Sequence, residues 1–261
     1  VDPGRLVKYR YHFSGYSDSD GARWYGIESS VAAWHQYAFF TDNGGMLQCV
    51  DLNSMTLKYA VDTDGDGDAG VVIEESADNN TIFLYAANKA DGRNAADGRD
   101  KAYIRKIDGR TGTVAWTKTF DASAENAGGA YAPVHIGKNE LNGTIIASLS
   151  AAALNDGTDG GLIIALDKST GEEKWRVEQA DGIWSAPVVI YDENGKGYIL
   201  QCDRGGKLTL YSGIDGQQMC SIDLGSRIES TPAVFNNTLV VGTRGVDGSG
   251  QGPKIVGIRI G

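Results

Sequence analysis

The sequence has few cysteines, little proline and no long apolar run. Its three cysteines (Cys49, Cys202 and Cys220) are an odd and sparse set, which provides neither a disulfide framework nor the spacing of a zinc site. We therefore expect all three to be small buried side chains. No stretch of about 18 or more apolar residues occurs, so no membrane-spanning helix is predicted.

An excess of basic residues is also missing, as are the common catalytic sequences. The formal net charge is −10 at pH 7, and an acidic chain repels phosphate backbones, so nucleic acid is not an expected partner. The N-terminus lacks the basic-then-apolar pattern of an export signal, so such a signal has been removed or never existed. No G-x-S-x-G, H-E-x-x-H or P-loop sequence is present.

Glycine is abundant, and it accompanies an internal repeat. The 36 glycines against 5 prolines fit a chain with many tight turns. Residues 162–178 read LIIALDKSTGEEKWRVE, which is a strand, a turn at Ser169-Thr170-Gly171 and a second strand. The same pattern recurs at 102–118, at 207–223 and, more loosely, at 46–62. The chain is therefore a repeat protein.

A second repeated element lies before each of these hairpins. Short turns between two apolar segments occur at His35-Gln36, Asn79-Asn80, Asn142-Gly143, Asn194-Gly195 and Asn236-Asn237. Each unit then has four antiparallel strands, which we call A to D, and it repeats roughly every 40 to 60 residues, as in a β-propeller. We predict an all-β fold with one propeller domain over residues 1–261. Its units are 24–62, 69–120, 128–178, 182–224 and 227–261.

The fifth unit ends after strand C, and a spare strand is available at the other end of the chain. Residues 5–13 read RLVKYRYHF and suit the missing strand D. We therefore predict five blades, closed by pairing of residues 5–13 with residues 254–260. Closure would remove the exposed sheet edges that promote aggregation.

Large side chains recur at one position of strand D. They are Tyr59, Trp116 and Trp175, with Cys220 in the fourth unit and Tyr9 in the closing strand. We expect these aromatic side chains to fill the wedge between neighbouring blades.

The pattern Asp108-x-x-Thr111-Gly112-x-x-x-Trp116, which recurs from Asp167 to Trp175, resembles the blade signature of PQQ-type repeat propellers. That superfamily includes quinoprotein alcohol dehydrogenases and an outer-membrane barrel-assembly lipoprotein without enzyme activity. The resemblance implies an exported bacterial protein that is extracellular, on the cell surface or periplasmic. The dehydrogenases have eight blades, an adjacent cysteine pair and a calcium-held quinone with an aspartate base. No two cysteines are adjacent here, so PQQ is not expected and no catalytic residue is predicted.

One loop has the composition of a calcium site. Residues 62–70 read DTDGDGDAG, in which Asp62, Asp64, Asp66 and Asp68 alternate with small residues. Ca²⁺ takes about six to eight oxygen ligands, and short D-x-D-x-D-G loops supply them. This loop resembles EF-hand, dockerin and integrin-propeller calcium loops, although position 12 of the EF-hand pattern is Ile73. We predict a structural Ca²⁺ site completed by Glu74, Glu75 or a carbonyl. The alternative is a solvated acidic turn.

The long loops are expected to lie on one face of the propeller. The B–C loops (87–101, 151–161 and 243–254) and the D–A connectors share that face, and binding residues are often on such loops. Aromatic and charged residues enter strand A there, which suggests a pocket for a small polar ligand or a peptide end. The candidate ligand-binding residues are Trp24, Tyr131, Trp184, Arg227 and Glu229. The alternative is a channel filled by these side chains.

Three functions remain open. The first is a non-catalytic binding or scaffolding propeller, a monomeric domain of a larger exported protein, which contacts a protein or a small polar ligand through the loop-rich face. The second is a quinoprotein-like or other propeller enzyme that uses the same face. The third is a structural spacer. The missing adjacent cysteines favour the binding module.

Overall fold

The computed structural model describes residues 8, 10, 11, 13, 26–76, 80–93, 95–245 and 252–261. These residues form antiparallel β-strands and one 3₁₀ helix, Asn139–Leu141, which confirms the all-β prediction. In this part of the chain no helix is long and apolar enough to cross a membrane.

The described strands form five consecutive groups, each of which pairs in chain order. Group one is β1 Ala32–Trp34, β2 Tyr37–Thr41, β3 Met46–Asp51 and β4 Thr56–Asp62; group two is β5 Val72–Glu75, β6 Ile82–Ala87, β7 Arg99–Asp108 and β8 Val114–Ser123; group three is β9 His135–Ile136, β10 Thr144–Ala153, β11 Asp159–Asp167 and β12 Glu173–Gln179; group four is β13 Val188–Tyr191, β14 Gly197–Cys202, β15 Lys207–Ser212 and β16 Gln218–Asp223; group five is β17 Ala233–Phe235, β18 Thr238–Thr243 and β19 Lys254–Arg259. Groups two and three join into one sheet because Ala122 of β8 pairs with Ala152 of β10. The three strands predicted for the fifth unit are confirmed.

The core lies between successive groups, as expected for blades that pack face to face. Each of four apolar clusters draws mainly on two neighbouring groups. Ile163 and Ile164 of β11 show the reason. Side chains alternate along a strand, so Ile164 faces the cluster shared with group two and Ile163 faces the cluster shared with group four. Sheets buried on both faces in this way account for the near-continuous apolar runs in the sequence.

The Asp-Thr-Gly-Trp motif joins one group to the next. The Asp167 carboxylate accepts hydrogen bonds from the backbone N–H groups of Ser169 and Thr170, at 2.9 and 3.1 Å, and so shapes the C–D turn. Gly171 in that turn has φ +75° and lies against the Trp116 ring of the preceding group. The Trp116 indole donates to the Lys168 carbonyl at 3.2 Å. The motif therefore shapes the C–D turn of one group and packs the tryptophan of the preceding group against that turn.

The other repeats show the same arrangement. Tyr59 donates to the carbonyl of Gly109 at 2.8 Å, and Trp175 donates to that of Gly213 at 3.2 Å. In each case the partner lies in the C–D turn of the next group. The predicted wedge role of these aromatic side chains is confirmed.

Cys220, at the equivalent position of the fourth unit, was expected to be buried and is exposed. Among the described residues, group five ends at β19 and provides no C–D turn to cover it. Cys49 and Cys202 are buried as predicted, and burial raises their thiol pKa values to about 11 and about 12.

Three predicted loops differ from the structure, and in one of them, residues 87–101, strand β7 already begins at Arg99. Asn142-Gly143 was expected to form a two-residue turn, but β9 ends at Ile136 and the connection includes the 3₁₀ helix. The Gly137 N–H donates to the Thr144 carbonyl and closes this longer loop. Residues 151–161 were predicted to be loop throughout, yet β10 and β11 extend to the pair Ala153–Asp159. Small residues along this stretch allow the two strands to continue pairing past an irregularity after Leu149.

The two ends of the strand array are covered differently. On group one, Tyr11 donates to the Gln48 side chain at 3.0 Å, and its ring packs edge-on against Phe40 at a centroid distance of 6.5 Å. On group five, Phe235 is 79 % and Ile255 is 83 % exposed. Most of the predicted closing strand, 5–7, 9 and 12, lies outside the described residues, as does Tyr9. The five-blade closure and the blade count therefore stay predictions.

Candidate functional site

The B–C loops and D–A connectors meet through backbone pairing. Asp66, in the connector after β4, exchanges two hydrogen bonds with Lys89, in the loop after β6, at 3.0 and 2.9 Å. Lys89 also pairs with Gly129, and Gly129 pairs with Ser150. A Cβ on Gly129 would lie 2.6 Å from the Asn88 carbonyl oxygen, so this close approach requires glycine. We call the end of the molecule formed by these loops and connectors the mouth.

A repeated serine positions the residues that enter the mouth. Ser29, Ser185 and Ser230 each donate a side-chain hydrogen bond of 2.8 Å to a backbone carbonyl at the end of strand B in the same unit. This hydroxyl fixes the segment that leads into strand A in groups one, four and five. The residues immediately before Ser185 and Ser230 are Trp184 and Glu229, and both contact other mouth residues.

Basic side chains neutralise the acidic loop. Lys89 Nζ lies 3.0 Å from Asp66 Oδ2 and 2.6 Å from Asp68 Oδ2. Arg105 Nη2 lies 2.9 Å from Asp64 Oδ2, and Arg93 Nη1 lies 3.6 Å from Asp62 Oδ1. Each of the four predicted calcium-binding aspartates therefore has a cationic partner.

The electrostatics of Lys89 and Asp66 follow from burial and pairing. Burial alone would lower the pKa of Lys89, but the hydrogen bonds that its ammonium group donates to Asp68 and Asp66 outweigh burial and raise that pKa. Burial raises the pKa of Asp66 to about 6, with a further upward contribution from the charge of Asp68. The Oδ1 atoms of Asp66 and Asp68 are buried without a hydrogen-bond partner. In the geometry of the loop, these two atoms are what favours the predicted calcium site.

Glu74, the fifth predicted calcium ligand, is directed elsewhere. Its Oε2 accepts a hydrogen bond of 2.7 Å from the Tyr85 hydroxyl, and its Oε1 lies 2.5 Å from Lys168 Nζ. Glu74 thus joins groups two and three and does not join the aspartates. Among the described residues, no group of three or more His, Cys, Asp or Glu side chains is arranged to hold a metal. The calcium site stays a prediction. Asp66 and Asp68 would have to release the Lys89 ammonium group in order to bind Ca²⁺.

Two of the predicted ligand-binding aromatics stack on each other. The rings of Tyr131 and Trp184 have centroids 4.7 Å apart and an interplanar angle of 17°. Lys89 Nζ lies 4.7 Å from the Tyr131 centroid, and the Arg204 guanidinium carbon lies 4.0 Å from a Trp184 ring centroid. The four side chains form a column in which aromatic rings lie between two cations, an arrangement that cation–π attraction stabilises.

Glu229 extends this column with three arginines. Its Oε1 lies 3.5 Å from Arg204 Nε, 3.6 Å from Arg227 Nη1 and 3.5 Å from Arg244 Nη1. We call Arg204, Arg227, Arg244 and Glu229 the arginine rim. The contacts run without a break from the acidic loop through Lys89, Tyr131 and Trp184 to the rim.

The structure therefore brings together four of the five predicted ligand-binding residues: Tyr131, Trp184, Arg227 and Glu229. Trp24 lies outside the described residues. Sequence reasoning missed Lys89, Arg204 and Arg244. Their positions in B–C loops, next to the connectors that were singled out, are the only sequence signal for them.

Two open grooves among the described residues lie away from the mouth. One groove lies between the A–B turn of group one and the C–D turn of group two, lined by Trp34, His35 and Arg110 among others. Another lies between groups four and five, lined by Tyr191, Tyr198 and Ile260 among others. At the mouth, the Trp184 ring is already in contact with both Tyr131 and Arg204.

Comparison with known families supports the fold. Residues 101–199 match the family model described as the β-propeller domain of glucose, ethanol and alcohol dehydrogenases that use PQQ. This segment contains the Asp-Thr-Gly-Trp motif of groups two and three. The predicted resemblance to PQQ-type repeat propellers is confirmed. No curated protein matches the chain in sequence.

Solved structures agree on the propeller. BamB from Moraxella catarrhalis aligns with a TM-score of 0.58 at 15% identity, over 90% of this chain and 61% of BamB. A europium-containing methanol dehydrogenase aligns with a TM-score of 0.62 at 10% identity, over 90% of this chain and 57% of that one. Quinohemoprotein alcohol dehydrogenase from Comamonas testosteroni aligns with a TM-score of 0.53 at 11% identity, over 90% of this chain and 40% of that one. The chain thus spans less than two thirds of each, and such distant likeness shows the fold alone.

Proposed function

We propose that this chain is a non-catalytic binding or scaffolding propeller of an exported bacterial protein, and that it contacts its partner through the mouth. The observation that carries the proposal is the column from Lys89 through Tyr131 and Trp184 to Arg204. It gathers aromatic and charged side chains from three units at one end of the molecule. Rigid blades hold these loops in place, which is how propellers and similar scaffolds present binding residues.

A protein or a small polar ligand suits this surface. The side chains of Arg227 and Arg244 are 41 % and 46 % exposed, so they reach solvent at the rim. Aromatic and arginine side chains dominate the binding energy of many protein interfaces. The resemblance to a superfamily with a non-catalytic outer-membrane assembly lipoprotein supports a scaffolding role, on the cell surface or in the periplasm, as a monomeric domain of a larger protein.

The enzyme alternative rests on the dehydrogenase family model that matches residues 101–199. The residues present do not fit the quinone site implied by that family. Cys49 and Cys202 are buried on different blades, Cys220 is exposed, and no two cysteines are adjacent. Incubation with PQQ and calcium, followed by a dye-reduction assay with primary alcohols, should show no turnover.

The acidic loop has a structural role in this proposal, with calcium in competition with Lys89. Asp62, Asp64, Asp66 and Asp68 would hold the ion, and the unpartnered Oδ1 atoms of Asp66 and Asp68 are the support for it. A bound cation would neutralise the loop and fix the connector between groups one and two.

Substitution of Trp184 tests the binding proposal. The wild-type chain and Trp184→Ala are each used to capture partners from a detergent-solubilised envelope fraction of the organism that encodes the chain. Ile214→Ala is the matched control, because Ile214 follows β15 in the C–D turn while Arg204 precedes β15, so the two lie at opposite ends of one strand. Partners retained by Ile214→Ala and lost by Trp184→Ala are expected. Equal capture by all three chains would contradict a binding site at the mouth.

A further inference from the structure

The groove between groups one and two lies at the end of the molecule opposite the mouth, between the A–B turn of group one and the C–D turn of group two. We call it the turn groove. It is lined by Trp34, His35, Tyr37, Cys49, Lys58 and Arg110, among others. Its volume is about 680 Å³, and pockets for small molecules are typically about 300–1,000 Å³ in size. The turn groove is therefore large enough for a small ligand.

The turn groove is open because group one has smaller side chains at this junction than group two has at the next. Cys49 lines the groove and pairs across the strands with Tyr59. At the next junction the equivalent pair is Lys106 with Trp116. Both of these longer side chains donate to the Lys168 carbonyl, at 3.1 and 3.2 Å. In group one the Tyr59 hydroxyl makes the corresponding contact, and the short Cys49 side chain leaves the space beside it unfilled.

One wall of the turn groove is aromatic and is held in place by its neighbours. The Trp34 indole donates to the Glu75 carboxylate at 2.8 Å. The Trp34 ring meets the His35 ring edge-on at a centroid distance of 4.2 Å, and it lies nearly parallel to the Tyr37 ring at 6.5 Å. Because these contacts already fix the indole, little conformational entropy remains to be lost there when a ligand binds.

The charged residues of the turn groove leave positive charge available. They are Lys58, Asp108 and Arg110. The Asp108 carboxylate is engaged within its own turn, since it accepts hydrogen bonds from the backbone N–H groups of Arg110 and Thr111 at 2.9 and 3.0 Å. Arg110 donates to the Asn80 carbonyl at 2.9 Å, which is a neutral acceptor. Lys58 and Arg110 are both exposed, and neither forms an ion pair with a carboxylate of the described residues.

From the aromatic wall and the two cations we propose that the turn groove binds a small aromatic anion with a carboxylate or phosphate group. The ring of the ligand packs against Trp34, where apolar area is buried and aromatic pairs attract each other. Its anionic group pairs with Lys58 and Arg110, and a guanidinium group matches both kinds of oxyanion. This is a second binding site, and it does not depend on the proposed function of the mouth.

Calorimetric titration of the full chain tests this proposal. The probes are indole-3-acetate, phenyl phosphate and, as the cationic control, tryptamine. We expect one or both anions to bind, with an affinity that falls as salt is raised because exposed charges are screened. Lys58→Gln and Arg110→Gln should each weaken binding about tenfold, a typical loss for one charged hydrogen bond. Arg259→Gln is the matched control, because Arg259 is an exposed arginine of β19 in group five, and it should bind as wild type does.

A substitution that fills the groove locates the site. Leucine occupies the position of Cys49 in group four, where Leu210 pairs with Cys220. Cys49→Leu should therefore occupy the floor of the turn groove with a side chain that the repeat accepts, and it should abolish binding of the anions.

The outcomes separate the source of the anion and decide the proposal. Binding of indole-3-acetate alone assigns a carboxylate ligand, and binding of phenyl phosphate alone assigns a phosphate ligand; both support the proposal. It is overturned if neither anion binds, if tryptamine binds equally well, or if Lys58→Gln and Arg110→Gln bind as tightly as wild type. Should Cys49→Leu unfold, these two substitutions of exposed side chains still give the answer.

Discussion

Gly171 lies directly against the indole of Trp116, which belongs to the preceding group. A Cβ at residue 171 would come within 2.8 Å of the ring, and the backbone there has φ +75°. The turn glycine thus has two functions, since it adopts a left-handed conformation and leaves room for the neighbouring blade. The repeat motif encodes the interface between blades as well as the turn.

Gly171→Ala should therefore destabilise the fold more than a glycine substitution that only strains the backbone. The left-handed conformation costs about 1–2 kcal/mol with a Cβ, and overpacking against Trp116 should add about 1–3 kcal/mol. Gly143→Ala is the control, because Gly143 has φ +89° and nothing within 4 Å of its Cβ position. Urea unfolding of both variants gives the difference. Equal losses would mean that the Trp116 contact does not hold the blades together.

His135 should make the stability of the fold depend on pH. Burial lowers its pKa, and the positive charge of Lys138 lowers it further. The unfolded chain takes up a proton near pH 6.5 that the folded chain resists, so stability is full above that pH and is lost as pH falls below it. When the pH is lowered from 7.5 to 5, the melting temperature of His135→Gln should therefore fall by less than that of the wild type. Parallel melting curves for the two chains would contradict this assignment.

Removal of residues 1–13 should lower the melting temperature. Tyr11 covers Phe40, which is 7 % exposed, and the deletion would expose it together with Gln48. Tyr11→Ala in the complete chain measures this contact alone, with an expected loss of about 2 kcal/mol. If residues 5–13 also pair with residues 254–260, the deletion must cost more than Tyr11→Ala. A truncated chain as stable as wild type would refute the five-blade closure.

Calcium should stabilise the chain if the acidic loop binds it. At a hundredfold excess over the dissociation constant the gain is about 2.7 kcal/mol, and magnesium should give less because it demands octahedral geometry. Lys89→Met frees the Oδ2 atoms of Asp66 and Asp68, so it should bind calcium more tightly than wild type does. Asp64→Ala should lose the effect. Thermal melts in EDTA and in calcium check all three chains. If calcium shifts the melting temperature of neither wild type nor Lys89→Met, the loop does not bind calcium, and its acids are neutralised in wild type by Lys89, Arg93 and Arg105.

The local repeat could be predicted from the sequence because its causes are local. Residues 162–178 were predicted as strand, turn and strand, and β11 and β12 flank the turn from Asp167 to Gly171, which follows from side-chain capping and a positive φ. The β9–β10 connection was mispredicted, because Asn142-Gly143 has the composition of a two-residue turn while the 3₁₀ helix before it has no strong sequence signature.

The contacts of the mouth could be predicted only in part. Tyr131 and Trp184 could be identified because both lie just before strand A, at the same place in successive units. Lys89 and Arg204 lie in B–C loops that share no sequence pattern. Their partners are distant in the sequence, as with Arg105, whose carboxylate partner Asp64 is 41 residues away. Such pairs depend on how successive blades are placed side by side, which no local pattern specifies. The acidic loop was interpreted as a metal site because its own sequence contains the acids, while the neutralising cations come from the next unit.

Site-specific photo-crosslinking tests the binding account most directly. A photoreactive phenylalanine analogue replaces Asp181, an exposed residue of the connector before Trp184, or Ile214, which is 59 % exposed at the opposite end of the same unit. Each chain is irradiated with the envelope fraction, and crosslinked products are identified by mass spectrometry. Binding at the mouth predicts a defined product from position 181 that Trp184→Ala abolishes, and none from position 214. Products from position 214 alone, or equal products from both positions, would contradict binding at the mouth.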